Sequence, residues 1–139
     1  MKKLLLIATI LMMTVATGCS NAGKDETQEV YTNTTPKTKY ADLIPKPEKL
    51  LGDVDILITD PDGGTAYIFQ IKNATKEQFE TYSAECEKYD FTDIRFQTDI
   101  AFGAYSPTGK YWTEVHFDEE KSIIYVICQK SENYEPLED

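Results

Sequence analysis

The chain has 139 residues, 24 acidic against 14 basic, for a formal charge of −10 at neutral pH. That balance excludes nucleic acid as a natural partner, because phosphate binding needs clustered Lys and Arg. It also holds a single histidine, His116, so any histidine-dependent base has one candidate position.

Residues 1 to 18 have the pattern of an export signal. Met1-Lys2-Lys3 is a positive start, and Leu4 to Ala16 is an uncharged apolar run of signal-core length. A membrane-spanning helix needs more, roughly 20 apolar residues. Ala16-Thr17-Gly18-Cys19 then sets small residues directly before a cysteine, which resembles the lipobox of lipoprotein signal peptidase. Cleavage is expected between Gly18 and Cys19, with Cys19 lipidated. Two acyl chains of palmitate type, at about 0.8 kcal/mol per methylene, give stable anchoring. Loss of Lys2 and Lys3 takes the formal charge from −10 to −12. Anionic headgroups then repel the mature chain within a Debye length of about 8 Å, so the lipid must hold it. Arg95 is the one arginine, while Tyr, Ile, Asn and Thr are plentiful. That usage points to an AT-rich, Gram-positive host, and the expected location is the extracytoplasmic face of its cell membrane.

Residues 19 to 39 follow as the lipidated Cys and a tether. Ser20 to Lys39 is rich in Thr, Asn, Lys and Glu and is expected to be disordered, spanning roughly 25 Å as a flexible coil. Residues 40 to 130 suffice for one small domain and are too few for two. Residues 131 to 139 form an acidic tail expected to fray.

Within the domain, Tyr40 to Gly52 carries two prolines, which favour extended backbone lying along the fold. Asp53 to Thr59 alternates Val54, Ile56 and Ile58, a strand pattern. Asp60-Pro61-Asp62-Gly63-Gly64 reads as a hairpin turn, and Thr65 to Lys72 returns with Tyr67, Phe69 and Ile71 on the same side. Thr75-Lys76-Glu77-Gln78 fits a capping box. The helix it opens is expected to bury Phe79, Tyr82, Cys86 and Tyr89. Four further strands are expected at Thr92 to Thr98, Ile100 to Tyr105, Lys110 to Phe117 and Ser122 to Gln129. Turns at Ser106-Pro107-Thr108-Gly109 and Asp118-Glu119-Glu120-Lys121 separate the last three. The resulting order ββαββββ predicts an α+β fold, a mainly antiparallel single sheet with one helix packed on one face.

Several segments together resemble a family of small Gram-positive lipoproteins known as a domain of unknown function. They are Ile44-Pro45-Lys46-Pro47, Phe79-Glu-Thr-Tyr82-Ser-Ala-Glu-Cys86, Tyr89-Asp90-Phe91-Thr92, Ala104-Tyr105-Ser106-Pro107-Thr108-Gly109-Lys110-Tyr111, and Ile123-Ile124-Tyr125-Val126-Ile127. The resemblance implies export and the extent of the domain; it implies no activity or catalytic residues. Asp90 departs from the family, which usually has glycine at the end of the helix. Aspartate tolerates the left-handed conformation at modest cost.

No catalytic set assembles from the sequence. Gly-x-Ser-x-Gly is absent. Asp60-Pro61-Asp62-Gly63 lacks the alternating oxygen ligands and distal Glu of a calcium loop. Pairs such as Asp53/Asp55 and Glu85/Glu87 are what any strongly acidic chain supplies. No cofactor or metal site is expected. Cys86 and Cys128 allow one intramolecular disulfide outside the cytoplasm or, equally, two buried free thiols.

The feature with most functional content is the sheet face away from the helix. Continued alternation places Leu57, Ile68, Gln70, Arg95, Gln97, Tyr105, Trp112, Glu114 and His116 there, with Tyr125 beside them. Arg95, Tyr105, Trp112, Glu114 and His116 form the candidate binding face, since Trp, Tyr and Arg concentrate in interface hot spots. A covered second core, with Tyr40 to Leu51 laid across it, is the structural alternative. The expected function is a non-enzymatic, membrane-tethered module that binds an envelope protein, peptide or glycan. The rival is a small extracytoplasmic hydrolase or metal-dependent enzyme using His116 with nearby carboxylates. A third reading is an inhibitor or immunity role toward a basic partner.

Overall fold

Branched and aromatic residues draw seven segments of the described chain into strands. The computed structural model describes residues 30–33, 35, 39–59 and 66–137. The expectations for Gly18, Cys19 and the Asp60–Gly64 turn lie outside these residues. Along the described chain run β1 (Val30–Thr32), α1 (Pro47–Leu50), β2 (Asp55–Ile58), β3 (Ala66–Lys72), α2 (Lys76–Lys88), β4 (Asp93–Gln97), β5 (Ala101–Tyr105), β6 (Tyr111–Asp118) and β7 (Ile123–Lys130). All seven strands join one antiparallel sheet in the order β1-β2-β3-β7-β6-β5-β4. Strands β4 to β7 form a meander, and β7 returns to pair with β3.

This corrects the α+β reading with ββαββββ order and one helix covering a face. The fold is mainly β, a seven-stranded sheet with one 13-residue helix and one four-residue helical turn. Two elements account for the change in order. Strand β1 comes from the tract expected to be a disordered tether, where Tyr31 pairs with Leu57 and Thr32 with Ile56. Helix α1 begins with Pro47 at its first position, where a missing N–H costs nothing.

The core is also not the work of α2 alone. Phe79, Tyr82 and Cys86 of α2 share it with Tyr40, Ala41 and Ile44, against Phe69, Val115 and Val126 of the sheet. The Tyr82 hydroxyl donates to the Pro45 carbonyl at 2.7 Å, tying the two segments together. Phe79 stacks on Phe117 at 6.2 Å, and burying such a side chain stabilises by about 1.5–3 kcal/mol. Among the described residues, no helix is long and apolar enough to cross a membrane.

Helix α2 starts at a complete capping box. The Thr75 hydroxyl accepts from Gln78 N at 3.2 Å and the Gln78 amide oxygen accepts from Thr75 N at 2.9 Å. The helix stops one residue earlier than its apolar spacing implies. Tyr89 is the C-cap and is 41% exposed, so it leaves the buried face predicted for it. Asp90 follows with φ 71°, the left-handed residue that ends the helix.

Candidate functional site

In regular antiparallel strands, residues directly opposite one another share a face. Tyr105 lies opposite Trp112, and Trp112 opposite Gln129. One row further on, Gly103 faces Glu114 and Glu114 faces Ile127. The next row sets Ala101 against His116, His116 against Tyr125, Tyr125 against Gln70 and Gln70 against Leu57. The structure therefore brings Tyr105, Trp112, Glu114 and His116 together on the side away from Phe102, Thr113, Val115 and Phe117, which are buried.

Arg95 reaches the same side by an irregularity. The β4–β5 register shifts between Ile94 and Phe96, leaving Arg95 as the extra residue of a bulge. One guanidinium nitrogen donates to Asp93 Oδ2 at 2.9 Å and to the Glu135 carbonyl at 2.6 Å. The group lies 5.1 Å from the centre of the Tyr105 ring and 5.6 Å from that of Tyr134, within cation–π range. The hydrogen bond to Asp93 is the main cause that raises the Arg95 pKa above its usual value.

The bulge also reverses the parity of the residues beyond it. Gln97 pairs with buried Phe102, so it does not stand on the Trp112 face as alternation predicts. Phe96 takes that place, with its ring 5.9 Å from Trp112 and 6.1 Å from His116. Leu57 is a second correction: it has the expected register but is only 3% exposed, so it is no part of an open surface.

Glu114 organises the stripe along β6. Its Oε2 accepts from the Trp112 indole N–H at 3.2 Å, and its Oε1 contacts His116 Nε2. Gly103 gives the two rings their room. A Cβ there would lie 2.4 Å from Phe96 Cζ and 2.7 Å from Trp112 Cη2. The isolated glycine in Ala-Phe-Gly-Ala-Tyr was the available sequence signal, since glycine inside a strand marks close approach.

The chain after β7 closes one end of this face. Ser131 N donates to the Lys110 carbonyl at 2.9 Å. The Tyr134 ring meets Tyr105 edge-on at 5.1 Å and covers Gly109, which has φ 67°. Desolvation and the adjacent Asp93 carboxylate raise the Tyr134 phenol above its ordinary pKa, with Arg95 opposing. The tail expected to fray is thus docked through its aromatic residue. Between it and the sheet lies a cleft of about 440 Å³ lined by Tyr105, Trp112, Gln129, Lys130, Glu132 and Asn133. Composition hid these last residues, which read as a solvated acidic end.

Tyr40 to Leu51 does not lie across this cleft. Tyr40 packs on Tyr111 at 6.4 Å, and Ile44 joins the core on the α2 side. The second-core alternative built on that segment is therefore overturned.

Cys86 and Cys128 are free thiols, both buried, which replaces the disulfide alternative. Burial pushes the Cys128 thiol up to about 12. Burial first, and then Cys128, push Cys86 up as well. Both are protonated at neutral pH and poor nucleophiles. Among the described residues, no three His, Cys, Asp or Glu side chains converge as metal ligands. Comparison with protein-family models, with curated proteins and with solved structures gives no match, so the family resemblance rests on its motifs alone.

Proposed function

We propose that this chain is the precursor of a lipoprotein, cut between Gly18 and Cys19 and lipid-anchored on the extracytoplasmic face of the cell membrane. Its domain acts as a non-enzymatic binding module of the cell envelope. The anchor is supported by Lys2-Lys3, the apolar run and the lipobox-like Ala16-Thr17-Gly18-Cys19. One observation carries the binding reading: Arg95, Tyr105, Trp112, Glu114 and His116 share a sheet face that Tyr40 to Leu51 leaves uncovered. Aromatic and arginine side chains fixed by neighbours lose little entropy on binding, which suits them as anchors.

Cys19→Ala should release the protein from membranes into the medium; retention of that variant on membranes overturns the anchor. The binding face is tested with the lipid-free chain from Ser20 to Asp139 applied to isolated envelopes. Trp112→Ala and Arg95→Ala should weaken its retention while leaving the circular dichroism unchanged. Equal retention would remove the face from the proposal.

The Glu114–His116 contact supports a second reading, a hydrolase in which the carboxylate orients a histidine base. Its test is His116→Ala in an ester, amide and glycoside hydrolysis screen. Turnover that disappears with the histidine favours the enzyme, and absence of turnover in the parent removes it.

A further inference from the structure

The position of the cleft beside Trp112 restricts what it can hold. Its floor belongs to β5 and β6, and Gln129 is on β7. Each of those strands is paired on both sides. Their ladder N–H and C=O groups are committed, so no extended peptide can be captured here by strand addition. A ligand must be gripped through side chains.

The residues that line it bring two aromatic rings in the floor, Gln129 beside Trp112, and Ser131, Glu132 and Asn133 of the chain after β7, while the Lys130 side chain, opposite Tyr111, belongs by register to the other face. An aromatic ring presents a negative face that attracts weakly positive C–H groups. Amides and carboxylates offer paired donor or acceptor positions in one plane, a spacing that suits neighbouring hydroxyls. A pyranose sugar combines those two properties, a C–H face and a rim of hydroxyls. Glu132 in the cleft wall and the mature chain's charge of −12, two below the −10 of the full sequence, both repel polyanions. The volume of about 440 Å³ also falls in the range of small-molecule sites.

We infer that this cleft is a saccharide site that takes neutral sugar units of a glycan. The inference rests on the proposed Trp112 binding face and narrows its ligand to one class. It also makes residues 131–133 part of the site, next to Tyr134, whose ring packs on Tyr105 and holds that segment against the sheet.

Trp112 is the single tryptophan, so the site reports on itself by fluorescence. The lipid-free chain from Ser20 to Asp139 is titrated with N-acetylglucosamine trimer and with maltotriose into the millimolar range. At least one should give a saturable change in Trp112 emission. Gln129→Ala and Asn133→Ala, neither of which is a core residue, should each weaken that binding about tenfold, the loss of one well-made hydrogen bond. Three results overturn the inference: no saturable response to either sugar, a response that both variants leave unchanged, or preferential binding of polygalacturonate. If the sugars fail while Trp112-dependent retention on envelopes persists, only the ligand class falls. Loss of that dependence as well takes the proposed face with it.

Discussion

Gly103→Ala tests whether the aromatic platform is a built structure. The added Cβ would sit 2.4 Å and 2.5 Å from Phe96 Cζ and Cε1, and 2.7 Å from Trp112 Cη2, where ordinary contact begins at 3.4 Å. Phe96 would have to retreat by about 1 Å, that difference in reach. Neither ring retreats freely. Phe96 is held between Trp112 and His116, while Trp112 is held by its bond to Glu114 and by Tyr105, whose ring centre is 4.6 Å away. Overpacking of this kind costs about 1–3 kcal/mol. For a domain near a hundred residues, each kcal/mol lowers the melting temperature by about 4–8 °C. Urea unfolding followed by far-UV circular dichroism gives the stability, and Trp112 emission reports the ring's surroundings. A stability within about 0.5 kcal/mol of the parent, together with unchanged emission, would refute the reasoning.

Gly109→Ala introduces a side chain at φ 67° and 2.0 Å from the Tyr134 ring; limited proteolysis should cut residues 131–137 faster than in the parent. Thr75→Ala removes half of the capping box and should cost about 1 kcal/mol in urea unfolding. Asp90→Gly relieves a left-handed aspartate at φ 71° and should raise stability by up to about 1 kcal/mol. Glu48 supplies a pH dependence. Burial pushes its carboxyl up, but hydrogen bonds from Thr35 N at 3.0 Å and Thr35 Oγ1 at 2.7 Å help bring the net pKa below 4.5. A lowered folded-state pKa means stabilisation that is present above 4.5 and is lost as pH falls through the lower value. The protection factor of the Thr35 amide, taken relative to intrinsic exchange at each pH, should therefore fall on acidification, and a factor that stays constant below the Glu48 titration would contradict this.

Strands β3, β6 and β7 were legible because each buries alternate residues: Tyr67, Phe69 and Ile71, Val115 and Phe117, and Ile124, Val126 and Cys128. Strand β2 was legible from Val54, Ile56 and Ile58, although Leu57 between them is buried as well, so its burial does not alternate. Strands β4 and β5, whose burial does not alternate either, were found from apolar and β-branched content between turn residues. The start of α2 was legible because its cap is local chemistry, written within Thr75 to Gln78. The failures depend on partners distant in sequence. Val30–Thr32 has no strand signal strong enough to stand alone, and its ladder is completed by β2. For the site, alternation through β5 and β6 placed Tyr105, Trp112, Glu114 and His116 on one side because those strands pair without interruption. The same rule failed at Gln97, where the bulge inserts one residue. A tail with acidic composition concealed Tyr134, whose position depends on Gly109 and Tyr105, more than twenty residues earlier.

Strand β1 gives the proposed anchor a direction. The lipid would pull on the chain at Val30, on one border of the sheet, and not at Tyr40, where the domain was expected to begin. Ten residues, 20 to 29, separate Cys19 from β1, a leash no longer than about 36 Å at full stretch. Strand β6, with Trp112, lies four strand spacings from that border, about 19 Å across the sheet. A protein held at β1 like a flag by its hoist would carry the aromatic cleft in the far half of the sheet, on the interior strands β5 to β7, away from the point of attachment.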